Sequence, residues 1–279
     1  MKKALVLEGG AMRGLYTAGA LDVLLDNDIE ADAVYATSAG VLFGVNYISK
    51  QHGRTLRYNK RYAADPRYMG LRSLITTGNI INKEFAYYEI PLKLDIFDQE
   101  AFAKSPTKLY ATITNVRTGQ TEYRQIEDVL QQMEVLRATS AMPFVSKMVP
   151  IDNELYLDGG LTDSIPLERC LRDGYDKIMV ILTRPADYRK KAMNPLLAKM
   201  FYRKYPRLVE AIQRRHAMYN AQIDQVNALE RQGRITVIRP TQHLNIGRIE
   251  KDPNKLQAMY DLGVCDTQVL RTAINTYWQ

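Results

Sequence analysis

Cysteine and histidine are both scarce in this 279-residue chain, and each scarcity closes off a class of function. Cys170 and Cys265 are the only cysteines and stand in no metal-ligand spacing. Neither a disulfide framework nor a metal site is expected, and a reducing, cytoplasmic setting is the default. His52, His216 and His243 are the only imidazoles, which restricts any mechanism that needs a histidine base. Long apolar runs are missing too. No stretch approaches the roughly 20 uncharged apolar residues that span a bilayer. The short run at residues 4–7 is broken by Glu8 and two glycines, where a signal peptide would continue to a small-residue cleavage site. The expectation is a cytoplasmic chain that meets a membrane only at its periphery.

What is present is an apolar fraction of 46%, enough to bury a large core in one domain with an appended region, and an excess of positive charge. The formal net charge is +7, and residues 184–216 account for it: ten Lys and Arg, with Arg184, Lys190 and Arg215 among them, stand against Asp187 and Glu210. A second basic stretch, residues 54–72, has six Arg and Lys against Asp65 alone.

The chain reads as alternating strands and helices. Residues 2–7 suit a short buried strand, followed by a Gly-rich turn and then Leu15, Ala18, Leu21, Leu24 and Leu25 at helical spacing. Residues 31–36 repeat the pattern, leading through a sharp turn into an apolar helix over 41–48. Residues 108–115 and 121–125 predict a hairpin about Thr118-Gly119. A helix over 127–140, a short strand at 156–157, a helix over 166–173, a buried strand over 177–182, a strand over 234–239 and a closing helix over 254–273 follow. Strands alternating with helices imply a largely parallel sheet covered on both faces.

Three motifs carry chemistry. The first is Gly9-Gly10-Ala11-Met12-Arg13-Gly14, between a strand and a helix. A Gly-rich turn there leaves backbone amides unpaired at the positive end of a helix, which suits a phosphate or the transient oxyanion of ester cleavage. Because Glu30 or Asp32 follows at about the spacing of a dinucleotide fingerprint, a nucleotide-binding protein is a competing reading. The second motif is Ala36-Thr37-Ser38-Ala39-Gly40, close to the nucleophile elbow in which a serine sits on a strained strand-to-helix turn among small residues. The third is Asp158-Gly159-Gly160, which alone is an ordinary turn but ends a predicted strand, where an aspartate can serve as base to a serine. The three histidines read as surface or packing residues, so an aspartate base is the better fit.

In this order the motifs resemble the patatin-like phospholipase family, and its bacterial members most. The resemblance spans about residues 4–184, including Ala138-Thr139-Ser140-Ala141-Met142-Pro143 ahead of the Asp-Gly-Gly turn. It implies an α/β fold, a three-layer α/β/α sandwich with a mainly parallel central sheet. Residues 185–279 would form a basic, mostly helical C-terminal extension with one strand, packed on that core. It implies hydrolysis of a lipid or small acyl ester by a Ser38–Asp158 dyad with no metal or organic cofactor. Backbone amides of Gly10, Ala11 and Met12 would receive the oxyanion, and Arg13 would help hold the loop. Two positions depart from the family's pattern, Ala11 and Ala36 standing where it has glycine. If position 11 needs a positive φ, alanine costs about 1 kcal/mol there, so a catalytically weak lipid-binding protein is a third reading. The basic segments, interleaved with residues such as Leu196, Met200 and Phe201, suit peripheral contact with an anionic membrane or a solvated face better than nucleic acid, for which no motif is present.

Overall fold

The computed structural model describes all 279 residues. Strand β1 (Lys3–Leu7) shows how the layers arise. Leu5 and Leu7 point into one buried cluster and Ala4 and Val6 into another, as the two-residue period of a strand buried on both faces requires. β2 (Ala33–Thr37) divides in the same way.

The larger cluster is covered by α1 (Leu15–Asp26), α2 (Ala39–Ile48) and the segment after it: α3 (Arg54–Tyr62), α4 (Leu71–Thr77), a wide π-helical stretch over Phe85–Leu94 containing Pro91, and α5 (Gln99–Lys104). This 54–104 region was not legible in the sequence as discrete elements. Its Tyr58, Tyr68, Phe85 and Ile90 extend the core sideways.

On the same sheet lie β3 (Lys108–Asn115) and β4 (Thr121–Ile126), the expected hairpin. The helix expected over 127–140 is shorter, α6 (Met133–Thr139). Gln132 Oε1 accepts from the amides of Glu127 and Asp128 at 2.7 and 3.0 Å, a side-chain alternative to the first helical turns. Then come β5 (Val149–Ile151), β6 (Glu154–Asp158), α7 (Leu167–Arg172) and β7 (Lys177–Ile181). The C-terminal part supplies α8 (Pro195–Tyr202), α9 (Pro206–Arg231), β8 (Thr236–Ile238) and α10 (Pro253–Trp278).

The eight strands form one sheet in the order β5-β6-β3-β2-β1-β7-β8, with β4 also on β3. Strands β3, β2, β1, β7 and β8 run parallel, and β4, β5 and β6 supply the antiparallel pairings. This is the three-layer α/β/α arrangement with a mainly parallel sheet. The C-terminal elements complete its layers: β8 adds a strand beside β7, and α10 lies against α1. A Cβ on Gly19 would sit 2.2 Å from Tyr260 O and one on Gly263 2.1 Å from Tyr16 O, so the two helices meet backbone to backbone.

Candidate active site

Strand β3 brings Ser38 and Asp158 together. β2 and β4 both pair with residues 109–112 of β3 and so lie on opposite sides of it; β4 and β6 both pair with Ile113 and Thr114, so β6 lies on the β2 side. β2 ends at Thr37 opposite Thr112, and β6 ends at Asp158 opposite the next residue, Ile113. The two chain ends therefore meet at adjacent registers, and Ser38 Oγ donates to Asp158 Oδ2 at 2.8 Å. The other carboxylate oxygen accepts from the Gly160 amide at 2.7 Å. Both side chains are buried, Ser38 at 7% and Asp158 at 5% exposure.

Ser38 holds φ 55° and ψ −123°, a conformation costly for a residue with a Cβ. Three contacts hold it. Its amide donates to Thr139 Oγ1 at 2.9 Å, and that hydroxyl donates to Thr112 O at 2.6 Å. The α2 amides of Val41 and Leu42 donate to Ser38 O at 3.0 and 3.3 Å. Gly40 lets the turn press on β1, since a Cβ there would lie 2.8 Å from Leu7 O. Ala36 is fully buried between strands, its methyl accommodated.

The Gly-rich loop packs over this pair. A Cβ on Gly9 would stand 3.1 Å from Ser38 Cβ. The loop's amides divide into used and unused. Gly9 N–H donates to Ser164 O at 3.2 Å, Arg13 N–H to Gly10 O at 3.2 Å, and Met12 N–H makes a long contact of 3.5 Å with Arg248 O. The amides of Gly10 and Ala11 have no partner in the chain, so the free donors are these two and not Met12. Ala11 adopts φ 50°, the left-handed conformation its glycine counterpart would take, with the methyl tolerated at about 1 kcal/mol. Arg13 does not hold the loop by side-chain hydrogen bonds; its Nε is buried and unpartnered, and the side chain borders the cavity over Ser38. The acid behind the loop is Glu8, whose carboxylate accepts from Thr183 Oγ1 at 3.0 Å and from Tyr219 OH at 2.8 Å.

Burial pushes the Asp158 carboxyl above its ordinary value, against the opposing pull of the Arg215 charge and the hydrogen bonds from Ser38 and Gly160. A base of raised basicity is better matched to a serine proton than an exposed aspartate. None of the three histidines borders the cavity over Ser38. His52 is beside Asp26, His243 beside Asp187, and His216 Nδ1 contacts Gln213 O. The nucleotide reading loses its acid. Glu30 and Asp32 precede β2, at the opposite end of the parallel β1–β2 pair from the loop, where Asp32 accepts from Lys3 N–H at 2.7 Å and Glu30 pairs with Lys50. A five-residue strand puts them roughly 15 Å from the loop, out of reach of a ribose bound there.

Ser38 stands between two kinds of space. On one side is a polar cavity of about 610 Å³, mouth included, bordered by Gly10, Asp158 and a set of cations. On the other, meeting the first along Ala11, Ser38, Met142 and Arg248, an apolar cavity of about 490 Å³, mouth included, runs past Leu42 and Phe43. It shares Leu42, Tyr58, Tyr68 and Ile81 with a second apolar cavity of about 570 Å³, mouth included, lined by Ile90, Phe97 and Leu136.

The basic segments divide between inward and outward positions. Arg54 is buried against Asp95, with Arg57 on the same carboxylate; Arg184, Lys190 and Arg215 border the polar cavity. On α8, Leu196, Met200 and Phe201 are exposed, whereas Tyr202 is buried and its hydroxyl accepts from Phe144 N–H at 2.8 Å. Motif reading missed Thr139, Glu8 and Tyr219. Only the acid directly before the glycines, and the hydroxyl inside the Ala138-Thr139-Ser140 run, were local signals.

Comparison with known proteins places the chain in a family. The profile described as "Patatin-like phospholipase" matches residues 5–171, and one described as "Domain of unknown function (DUF6363)" matches residues 205–278. The "Uncharacterized protein YjjU" of Escherichia coli (strain K12) is 30% identical over 196 residues, 66% of this chain and 52% of that protein. The "Probable lipid hydrolase 463L" of Invertebrate iridescent virus 6 is 24% identical over 190 residues, 61% of this chain and 63% of its own. The matched part thus spans about half of the first relative and under two thirds of the second. Among solved structures, VipD from Legionella pneumophila aligns with a TM-score of 0.47 at 12% identity, over 98% of this chain and 67% of that one. With its profile matched over more than half its length, this chain belongs to the patatin-like phospholipase family.

Proposed function

We propose that the protein is a serine acyl-ester hydrolase acting on a lipid ester, with Ser38 as nucleophile and Asp158 as base. The observation that carries the reading is the 2.8 Å hydrogen bond between Ser38 Oγ, on its strained turn, and the buried Asp158 carboxylate. Asp158 takes the Ser38 proton as Oγ attacks the ester carbonyl carbon, and the amides of Gly10 and Ala11 receive the oxyanion. The tetrahedral intermediate collapses to acyl-Ser38 and an alcohol, protonated by Asp158. A water that gives its proton to Asp158 then attacks the acyl carbonyl, and Ser38 regains its proton as the fatty acid leaves. The acyl chain lies in the apolar cavities behind Leu42. The lipid-hydrolase name of the viral relative is in line with this class.

No helix is long and apolar enough to cross a membrane. For access to lipid we propose a peripheral contact through α8, whose exposed Leu196, Met200 and Phe201 have Lys199 between them and Arg203 and Lys204 just beyond the helix. The test of the function is hydrolysis of p-nitrophenyl butyrate and of a lysophospholipid. The parent should turn over at least one, and Ser38→Ala and Asp158→Asn should each lose about 10³-fold or more. Undiminished hydrolysis by Ser38→Ala would sink the reading.

A further inference from the structure

The polar cavity over Ser38 is bordered by five cations: Arg13, Arg184, Lys190, Arg215 and Arg248. None forms a salt bridge within the chain: no carboxylate lies within 4.0 Å of any of them. The cavity's two carboxylates are both engaged, Glu8 with Thr183 and Tyr219, Asp158 with Ser38 and Gly160. Arg215 Nε donates to Gly160 O at 2.6 Å, which fixes one guanidinium beside the Asp-Gly-Gly turn. Lys190 Nζ lies 4.0 Å from the centre of the Tyr219 ring and Arg184 4.3 Å from that of Tyr188.

Five cations gathered around two carboxylates, neither of them within 4.0 Å of any of the five, repel one another at a cost. Burial first, then the charges of Arg215 and Arg248, pull the Lys190 ammonium down to about 7, with Glu8 and Asp158 opposing. Arg13 is lowered to about 10 by burial and then by Arg184 and Arg248. An anion in the cavity relieves all of these at once.

We propose that this cavity binds a terminal phosphate, so that the substrate is an acyl ester whose alcohol part ends in a phosphomonoester, held by Lys190, Arg215 and Arg248 with its acyl chain on the far side of Ser38. This rests on the acyl-hydrolase reading above. The choice among anions and head groups follows from charge. A phosphomonoester carries close to two negative charges at neutral pH and three strong acceptor oxygens. A choline head group would bring a quaternary ammonium among five cations with no unengaged carboxylate. Four of the five cations lie outside residues 5–171, and Arg215 and Arg248 fall within 205–278. The C-terminal region, to which no function is attached, thereby supplies the head-group site of the catalytic domain. The phosphate takes no part in the bond changes: Asp158 protonates the departing glycerol oxygen, and the phosphate monoester leaves intact.

The test separates head-group binding from catalysis. With Ser38→Ala, calorimetry measures binding of hexanoyl lysophosphatidate, hexanoyl lysophosphatidylcholine, glycerol 3-phosphate and inorganic phosphate. Lysophosphatidate should bind at least tenfold tighter than lysophosphatidylcholine, with glycerol 3-phosphate competing. Lys190→Met and Arg248→Met should each remove most of that preference. At pH 8, binding should take up protons, read as buffer-dependent heat, because the phosphate recharges a Lys190 that faces Arg215, Arg248, Glu8, Asp158 and the Tyr219 ring. Equal affinity for the two lysophospholipids, or binding of inorganic phosphate alone, overturns the proposal, as does a preference that survives both substitutions. Loss of every esterase activity with the binding preference intact would count against the hydrolase reading and leave the phosphate site standing. Turnover of p-nitrophenyl butyrate without the preference does the reverse.

Discussion

Thr139 offers a sharp test of how the strained serine is held. Its hydroxyl accepts from Ser38 N–H and donates to Thr112 O, and all three residues are buried. Thr139→Val keeps the shape and the methyl packing but orphans one buried amide and one carbonyl. An unsatisfied buried group costs about 1–3 kcal/mol, the carbonyl at the low end, so the expected loss of stability is about 2–4 kcal/mol. For a chain of this size that is a fall in Tm of roughly 4–8 °C. The catalytic consequence is separate. Ser38 is held at φ 55° by little besides this amide bond and the helix that follows, and conformations of this kind cost about 1–3 kcal/mol. Once released, the turn relaxes and Oγ leaves the line to Asp158. Steady-state kinetics on p-nitrophenyl butyrate should show kcat down by about tenfold or more with KM little changed, because the cavities keep their lining. Thr139→Ser restores both hydrogen bonds and should recover most of the loss in kcat. If Thr139→Val keeps kcat within twofold and Tm within a degree, the elbow is not held in this way.

Other outcomes follow from the same contacts. Asp158 must be ionised to act, and its folded value lies above the ordinary one. The acid limb of kcat/KM should therefore fall above the usual aspartate value of about 3.9. Because the folded value is raised, the stability tied to this group is complete below the unfolded value and is lost as pH rises through the folded one. Asp158→Asn should then melt no lower than the parent at pH 7, with any advantage shrinking toward pH 4 in thermal scans. Gly40→Ala places a methyl 2.8 Å from Leu7 O and 2.9 Å from Leu7 Cβ; overpacking of this kind costs about 1–3 kcal/mol, and activity should fall with Tm. On α8, Leu196→Glu with Phe201→Glu should cut co-sedimentation with anionic vesicles at least tenfold while leaving p-nitrophenyl butyrate turnover in place; unchanged sedimentation would remove α8 from the lipid contact.

Which parts were legible depended on how local their causes are. A strand that ends in small residues before a helix is written in consecutive positions, so the elbow at 36–40 and the loop at 9–14 were visible as motifs. Asp158 was visible only as an ordinary turn that gained meaning from its company. The step that joins it to Ser38 is the register of β3, which seats β2 and β6 end to end on one side; register is a non-local property with no signature in either motif. The near match to a dinucleotide fingerprint failed because Glu30 and Asp32 stand just before the start of β2, and the parallel pairing of β1 with β2 sets that end opposite the loop. The basic segments showed charge but not direction. Arg54 turns inward to Asp95, and Arg184, Lys190 and Arg215 border the cavity over Ser38. The 54–104 region lacks a clean period because its helices are short and one is π-helical around Pro91, yet it forms the wall of the apolar cavities.

The most direct measurement is to quench the parent enzyme with acid during turnover of p-nitrophenyl hexanoate and to map the peptides by mass spectrometry. The account predicts one hexanoyl adduct, on the peptide carrying Ser38, absent from Ser38→Ala and Asp158→Asn. An adduct on another side chain, or steady turnover by Ser38→Ala, would contradict it.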